Sequence, residues 1–151
     1  MNTFLDNLVR NDTFPTVISG TIVFILGQLF VEFYIRPLRD YKTIKQKIFY
    51  TLALYKSYYN KPYNSLNIES NIRDKSEYME ARKELRKIGS ELSGYLANIS
   101  DFKKKYKKRL NKVVEAIIGI SNGLFIFDEY NPINDTIKYE EIIENNLKWF
   151  I

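Results

Sequence analysis

Hydrophobic residues are distributed along this chain in two unlike ways. From Phe14 to Ile35 the sequence reads FPTVISGTIVFILGQLFVEFYI, and between Val17 and Val31 only Ser19, Thr21, two glycines and Gln28 interrupt the apolar run, with no charge. A helix of this length, at about 1.5 Å per residue, just crosses a hydrocarbon core of roughly 30 Å. The pattern predicts a transmembrane helix over residues 14–36. Asp12 or Thr13 can cap it, and Pro15 sits in its first turn, where a missing N–H does no harm.

Beyond it the apolar residues become periodic. Pro37 is expected to end or kink the membrane helix, with a second helix from Leu38 or Asp40 to about Tyr59. Tyr41, Ile44, Ile48, Leu52, Tyr55 and Tyr59 form its buried stripe. Asn60 to Asn71 reads as a loop, rich in Asn, Ser and Pro and without periodicity. A third helix is expected from about Asp74 to Ile99. Its apolar positions Tyr78, Ala81, Leu85, Ile88, Leu92, Tyr95 and Ile99 step by threes and fours along one face. That seam suits an antiparallel bundle or a coiled coil, and the short chain favours the bundle. Gly89, Ser90, Ser93 and Gly94 lie in mid-helix, where glycine costs about 1 kcal/mol relative to alanine, so a neighbouring helix is expected to pack closely there.

Ser100 and Asp101 offer caps for the next helix. In it Leu110, Val113, Val114, Ile117, Ile118, Ser121, Leu124 and Phe125 sustain a wide, mostly apolar face. A turn around Pro132 follows, and a last helix from about Thr136 to Phe150 offers Tyr139, Ile142, Ile143, Leu147 and Phe150 to a core. The predicted fold class is therefore all-α: one N-terminal transmembrane helix, then a small antiparallel bundle of about four helices over residues 37–151. Residues 1–13 carry Phe4, Leu5, Leu8 and Val9 on one helical face. Two readings of them stay open, a short amphipathic helix or a flexible leader.

Charge gives the predicted span a direction. Arg36, Arg39, Lys42, Lys45 and Lys47 follow it directly, against Arg10 alone on the other side. The positive-inside rule then places the C-terminal domain in the cytoplasm, Met1 outside, and the chain as a single-pass protein of the cell inner membrane. The one basic residue before the apolar run is outnumbered by Asp6 and Asp12, and no small-residue cleavage site follows, so the segment reads as an uncleaved anchor.

Composition narrows the chemistry. The chain has no cysteine and no histidine, which removes thiolate nucleophiles, disulfides, the commonest general base and the commonest metal ligand. No catalytic constellation, cofactor site or metal site is expected. Glu77, Glu80, Glu84 and Glu91 are interleaved with Lys and Arg, as on a solvent-exposed face.

Three sets of residues stand out as interaction candidates. Gly20 and Gly27 share one face of the predicted span, and Thr21, Gln28 and Glu32 share the neighbouring one, an arrangement that permits helix association in lipid. Lys103, Lys104, Lys105, Lys107, Lys108, Arg109 and Lys112 put seven cations into ten residues. A solvated charge run is the first reading; Lys103, Lys104, Lys105, Lys107, Lys108 and Arg109, with Arg36 and Arg39, are also candidates for contact with lipid headgroups. Nucleic acid ranks lower as a partner, because no fold-level motif accompanies the run.

The third set comes with a likeness. FVEFYIRPLRDYKTIKQKIFYTLALY, EARKELRKIGSELSGYLANI and KVVEAIIGISNGLF together resemble a family of small bacterial membrane-anchored helical proteins. The shared patterns fall on Glu32 and Pro37, on Ala81, Leu85, Arg86, Ser90 and Leu92, and on Ile118, Gly119, Ile120, Ser121 and Asn122. Ile120 stands where leucine is expected. The resemblance covers about two-fifths of the chain and implies a shared architecture, with no established activity. It makes Arg86, Ser90, Ser121 and Asn122 candidates for a polar cluster between two helices. The expectation for function is a non-enzymatic membrane-anchored bundle that binds a protein partner or copies of itself. The alternative is a membrane-perturbing effector of a bacterial toxin or phage-defence system.

Overall fold

The computed structural model describes residues 13–64, 75–99, 104–126 and 133–148. The expected N-terminal amphipathic helix, the caps at Ser100 and Asp101, Lys103, the turn at Pro132 and Phe150 lie outside these residues. The chain divides into two compact units, Met1–Lys42 and Thr43–Ile151.

The first unit holds helix α1, Thr13–Phe30. A single π-helical turn, Val31–Ile35, follows it, and helix α2, Arg36–Tyr59, continues without a break. Pro37 therefore does not end the helix. The backbone widens just ahead of it, where the Arg36 N–H donates to the Val31 carbonyl five residues back. This insertion re-seats the turn that a proline ring would otherwise crowd, and it leaves Pro37 in the first turn of α2. Pro37 was expected to end or kink the helix; the helix does not end there, and the proline is marked by the π turn just before it.

The second unit holds the rest of α2, with α3 (Lys75–Ala97), α4 (Lys104–Asn122) and α5 (Ile133–Leu147). The closest backbone approaches are α3 to α4 and α4 to α5. Contacts set their directions. Tyr58 near the end of α2 meets Tyr78 near the start of α3, and Arg86 of α3 meets Asn122 at the end of α4. Arg109 near the start of α4 meets Asn145 near the end of α5. Each helix thus runs opposite to its predecessor or neighbour, as short connections require.

The core follows the predicted stripes, with three shifts, one being that Ile118 of the expected α4 face is exposed while Ala116 and Ile120 are buried. Ile48, Leu52 and Tyr59 of α2 are buried, and so are Tyr78, Ala81, Leu85, Ile88 and Leu92 of α3. Leu96 is buried in place of Tyr95, and Ile99 lies past the helix end. A heptad spacing of 3.5 drifts against a straight helix of 3.6 residues per turn, so by the last turn the core face has moved on by one residue. The third shift is at the end of α4, which stops at Asn122. Phe125 and Ile126 form a two-residue strand, β2, parallel to β1 (Tyr63–Asn64), with Tyr63 in register with Phe125. The Tyr63 N–H also donates to the Leu124 carbonyl at 2.8 Å. This bridge falls where a loop and a continuing helix were expected. It ties together the two chain segments that leave α2 and α4 at the same end of the bundle.

The expected close approach around Gly89 to Gly94 occurs elsewhere. Gly94 has open space where a side chain would stand, and Gly89 has only ordinary neighbours, Ile117 Cγ2 at 3.6 Å and Ile118 Cγ1 at 3.7 Å. The tight glycine is Gly119 of α4, where a Cβ would lie 2.5 Å from Tyr139 Cζ of α5.

Candidate functional site

Two places carry features beyond packing: the apolar helix and the seams of the bundle. Among the described residues one helix, beginning at Pro15 and continuing to Tyr59, is long and apolar enough to cross a membrane. Its best window of 18 residues has a mean hydropathy of 1.8, and none of that window is buried. Val17, Val23 and Phe33 are 66%, 69% and 66% exposed. In water such a surface is strongly unfavourable, at roughly 25 cal/mol for each Å² of apolar area.

Some of its polar groups are satisfied within the helix. The Thr21 hydroxyl donates to the Val17 carbonyl and the Ser19 hydroxyl to the Thr16 carbonyl, each at 2.9 Å, so both are satisfied within their own helix. Glu32 forms an ion pair with Arg36. Gln28 makes no hydrogen bond among the described residues. Gly20 and Gly27 have nothing within 4 Å of a would-be Cβ. The five association candidates thus leave an open groove of small residues beside one unsatisfied amide.

In the second unit the four polar-cluster candidates separate. The Arg86 guanidinium donates to Asn122 Oδ1 at 2.8 Å, joining α3 to α4 at the surface. The Ser90 hydroxyl donates to the Arg86 carbonyl at 2.9 Å, and the Ser121 hydroxyl to the Ile118 carbonyl at 2.8 Å. Ser121 is fully buried, which its own-helix hydrogen bond makes inexpensive. One bridging hydrogen bond and two local ones form no common pocket.

Two groupings were not foreseen from sequence. Tyr58, Tyr63, Tyr78 and Phe125 pack edge to face or tilted, with ring centroids 5.2–6.2 Å apart. The Arg82 guanidinium lies 5.7 Å above the Phe125 ring, a cation–π contact. Tyr78 donates to the Lys61 carbonyl at 2.6 Å, and Tyr58 to Glu77 at 3.1 Å. This aromatic knot surrounds the β1–β2 bridge. Its members come from four separate segments, so periodicity within any one of them carries no sign of it.

The second grouping joins α2 to α5. The hydroxyl of Tyr59, a residue only 1% exposed, donates to Glu140 Oε1 at 2.8 Å and lies 3.2 Å from the Leu52 carbonyl oxygen. Lys56 approaches the same carboxylate at 3.3 Å. Burial raises the Tyr59 phenol well above its usual range, and the hydrogen bond to Glu140 and the charge of Glu140 push the same way. Tyr59 is therefore a fixed neutral donor, a brace rather than an acid. A cleft of about 170 Å³ opens beside it, lined by apolar Phe49, Leu52, Ala53 and Ile143 together with Lys56, Glu140 and Glu144. Tyr55, between α2 and α3, is also raised, by burial and then by Glu80 and Glu84. Among the described residues no three ligating side chains converge as a metal site would require.

The cationic candidates also divide. Arg36 pairs with Glu32. Arg109 donates to the Asn145 carbonyl at 3.4 Å, and Lys107 is half-buried. Lys104, Lys105 and Lys108 are exposed.

Comparison with family models, with curated proteins and with solved structures finds no match to this chain.

Proposed function

We propose that this chain is a membrane-anchored, non-enzymatic helical protein. In this reading α1 spans the inner membrane with its N-terminus outside. The bundle is a cytoplasmic module that docks a protein partner or a second copy. The observation that carries the reading is the exposure of every described apolar side chain of α1, from Val17 to Phe30, a surface that lipid or another such helix would cover. The absence of histidine and cysteine from the sequence supports a non-enzymatic role. The cluster of basic residues after Ile35 supports the orientation. The likeness to small membrane-anchored helical proteins points to the same architecture.

Fractionation tests the anchor. The full chain is expected to stay in the membrane pellet after alkaline carbonate, and the Val23→Lys/Leu26→Lys variant to be released. Retention of that variant, or release of the parent chain, overturns the reading. A reporter fused after Ile151 is expected to be active only on the cytoplasmic side. For association, Gly20→Leu with Gly27→Leu fills the open groove and is expected to abolish cross-linked dimers in membranes. Unchanged cross-linking removes the self-association part.

A second reading, a membrane-perturbing effector, is favoured by the Gln28 amide, which has no partner within its own helix. Several copies could satisfy that amide around a polar path. Induced expression with a membrane-potential dye distinguishes the two: depolarisation that is lost in Gln28→Leu selects the effector, and a steady potential at high expression selects the anchor alone.

A further inference from the structure

We infer that the outward face of the first three turns of α4 is a docking surface for an anionic lipid bilayer. Lys104, Lys105, Lys108 and Lys112 are all exposed, and none has an ion pair or hydrogen bond among the described residues. At about 100° per residue the four fall within an arc of roughly 100°. Buried Leu110, Val113 and Ile117 lie on the far side of the helix. Of the described cations of the run outside this face, Lys107 is half-buried and Arg109 reaches to α5. The sequence alone showed seven cations in ten residues. Among the described residues the fold sorts them and leaves four on the solvent pole of one helix.

For the helix itself the placement is unfavourable. Lys104 and Lys105 stand in the first turn, at the positive end of the macrodipole, and that turn contains no acidic residue. Four like charges on one face also repel each other. Stability alone would select acidic residues there. The arrangement becomes favourable where a negative surface faces it.

Two observations select lipid as that surface. The same chain carries α1, which on the proposal above holds it at a membrane, and the present inference rests on that reading. Tethering keeps headgroups at high effective concentration, so weak contacts suffice. The face is also a single convex helix with no aromatic side chain on it. The aromatic residue within this stretch of α4, Tyr106, is half-buried on the opposite side. A groove for single-stranded nucleic acid would offer aromatic platforms for bases beside its cations.

The test uses the full chain. Because it contains no cysteine, Asn111→Cys gives one labelling point on the same face, exposed and without change of charge. The labelled chain is reconstituted into vesicles of phosphatidylcholine alone, or with about a third phosphatidylglycerol, and energy transfer to a lipid-borne acceptor is measured. Transfer is expected to rise with phosphatidylglycerol, to fall back at high salt, and to stay low in Lys104→Gln/Lys105→Gln/Lys108→Gln/Lys112→Gln. At about fivefold attraction per lysine near an anionic surface, the fourfold change should shift the contact equilibrium by on the order of 100-fold or more. The same variant should unfold at slightly higher urea in neutral detergent, because it relieves the dipole and the repulsion. This confirms that it folds.

Equal transfer in both vesicle types, with the chain floating alongside both, overturns the lysine face and leaves the anchor standing. Failure to float with phosphatidylcholine vesicles overturns the anchor, and this inference with it. Lysine-dependent binding of a duplex oligonucleotide by the detergent-solubilised chain, with no response to phosphatidylglycerol, assigns the face to nucleic acid and overturns lipid.

Discussion

Replacing Gly119 by alanine tests the tightest contact in the bundle. A methyl built on Gly119 would stand 2.5 Å from Tyr139 Cζ and 2.6 Å from Cε2, whereas carbons rest at about 3.5–4.0 Å. The ring must turn outward or α4 and α5 must separate. Overpacking of this kind costs typically about 1–3 kcal/mol. Against it, alanine gains about 1 kcal/mol over glycine inside a helix. The net expectation is a loss of about 1 kcal/mol. The sign is sharpened by a second background. In Tyr139→Ala the obstruction is gone, so there Gly119→Ala should stabilise by about 1 kcal/mol, giving a coupling energy of about 2 kcal/mol. Urea unfolding of the full chain in mild detergent, followed by near-UV circular dichroism, measures all four corners of this cycle. An equal gain from alanine in both backgrounds would refute the close approach of α4 to α5.

Gly89→Ala is the counterpart: its methyl meets Ile117 and Ile118 at ordinary distances, so the urea midpoint should rise, by about 0.5–1 kcal/mol in stability. Tyr59→Phe removes the brace between α2 and α5 and should cost about 1–2 kcal/mol in the same assay. The phenols of Tyr59 and Tyr55 are raised in the folded chain, so above pH of about 10 the unfolded chain loses protons that the folded chain keeps. Stability should be unaffected by these groups below that pH and should fall as pH rises above it, less steeply in Tyr59→Phe. Asn122→Ala breaks the surface hydrogen bond from Arg86 and should change stability by less than about 1 kcal/mol, measured as a shift in urea midpoint.

The candidate sites were legible to different degrees. The lysine face was partly visible: the charge run is plain in the sequence, but which lysines point outward depends on which side of α4 is buried. The pairing of Arg86 with Asn122 was indicated only as part of a larger cluster. Ser90 and Ser121 left it, because a serine hydroxyl within a helix finds a carbonyl three or four residues back more readily than a partner across a gap. The aromatic knot and the Tyr59–Glu140 brace were not legible. Each depends on side chains separated by 15 to 81 positions in the chain.

The sequence by itself determined the long apolar helix, the number of helices after it and most residues of their buried stripes. These follow from local periodicity and from the cost of leaving apolar surface in water, and both act within one helix at a time. Tertiary structure decided how the helices meet. It placed the tight glycine at Gly119 rather than in the Gly89–Gly94 patch, and turned Phe125 from a helical position into a strand residue beside Tyr63. The passage of the helix through Pro37 by way of a π turn, by contrast, is a local feature of its own backbone. Close approach and chain crossings depend on the shape of a second element, which no pattern within the first one encodes.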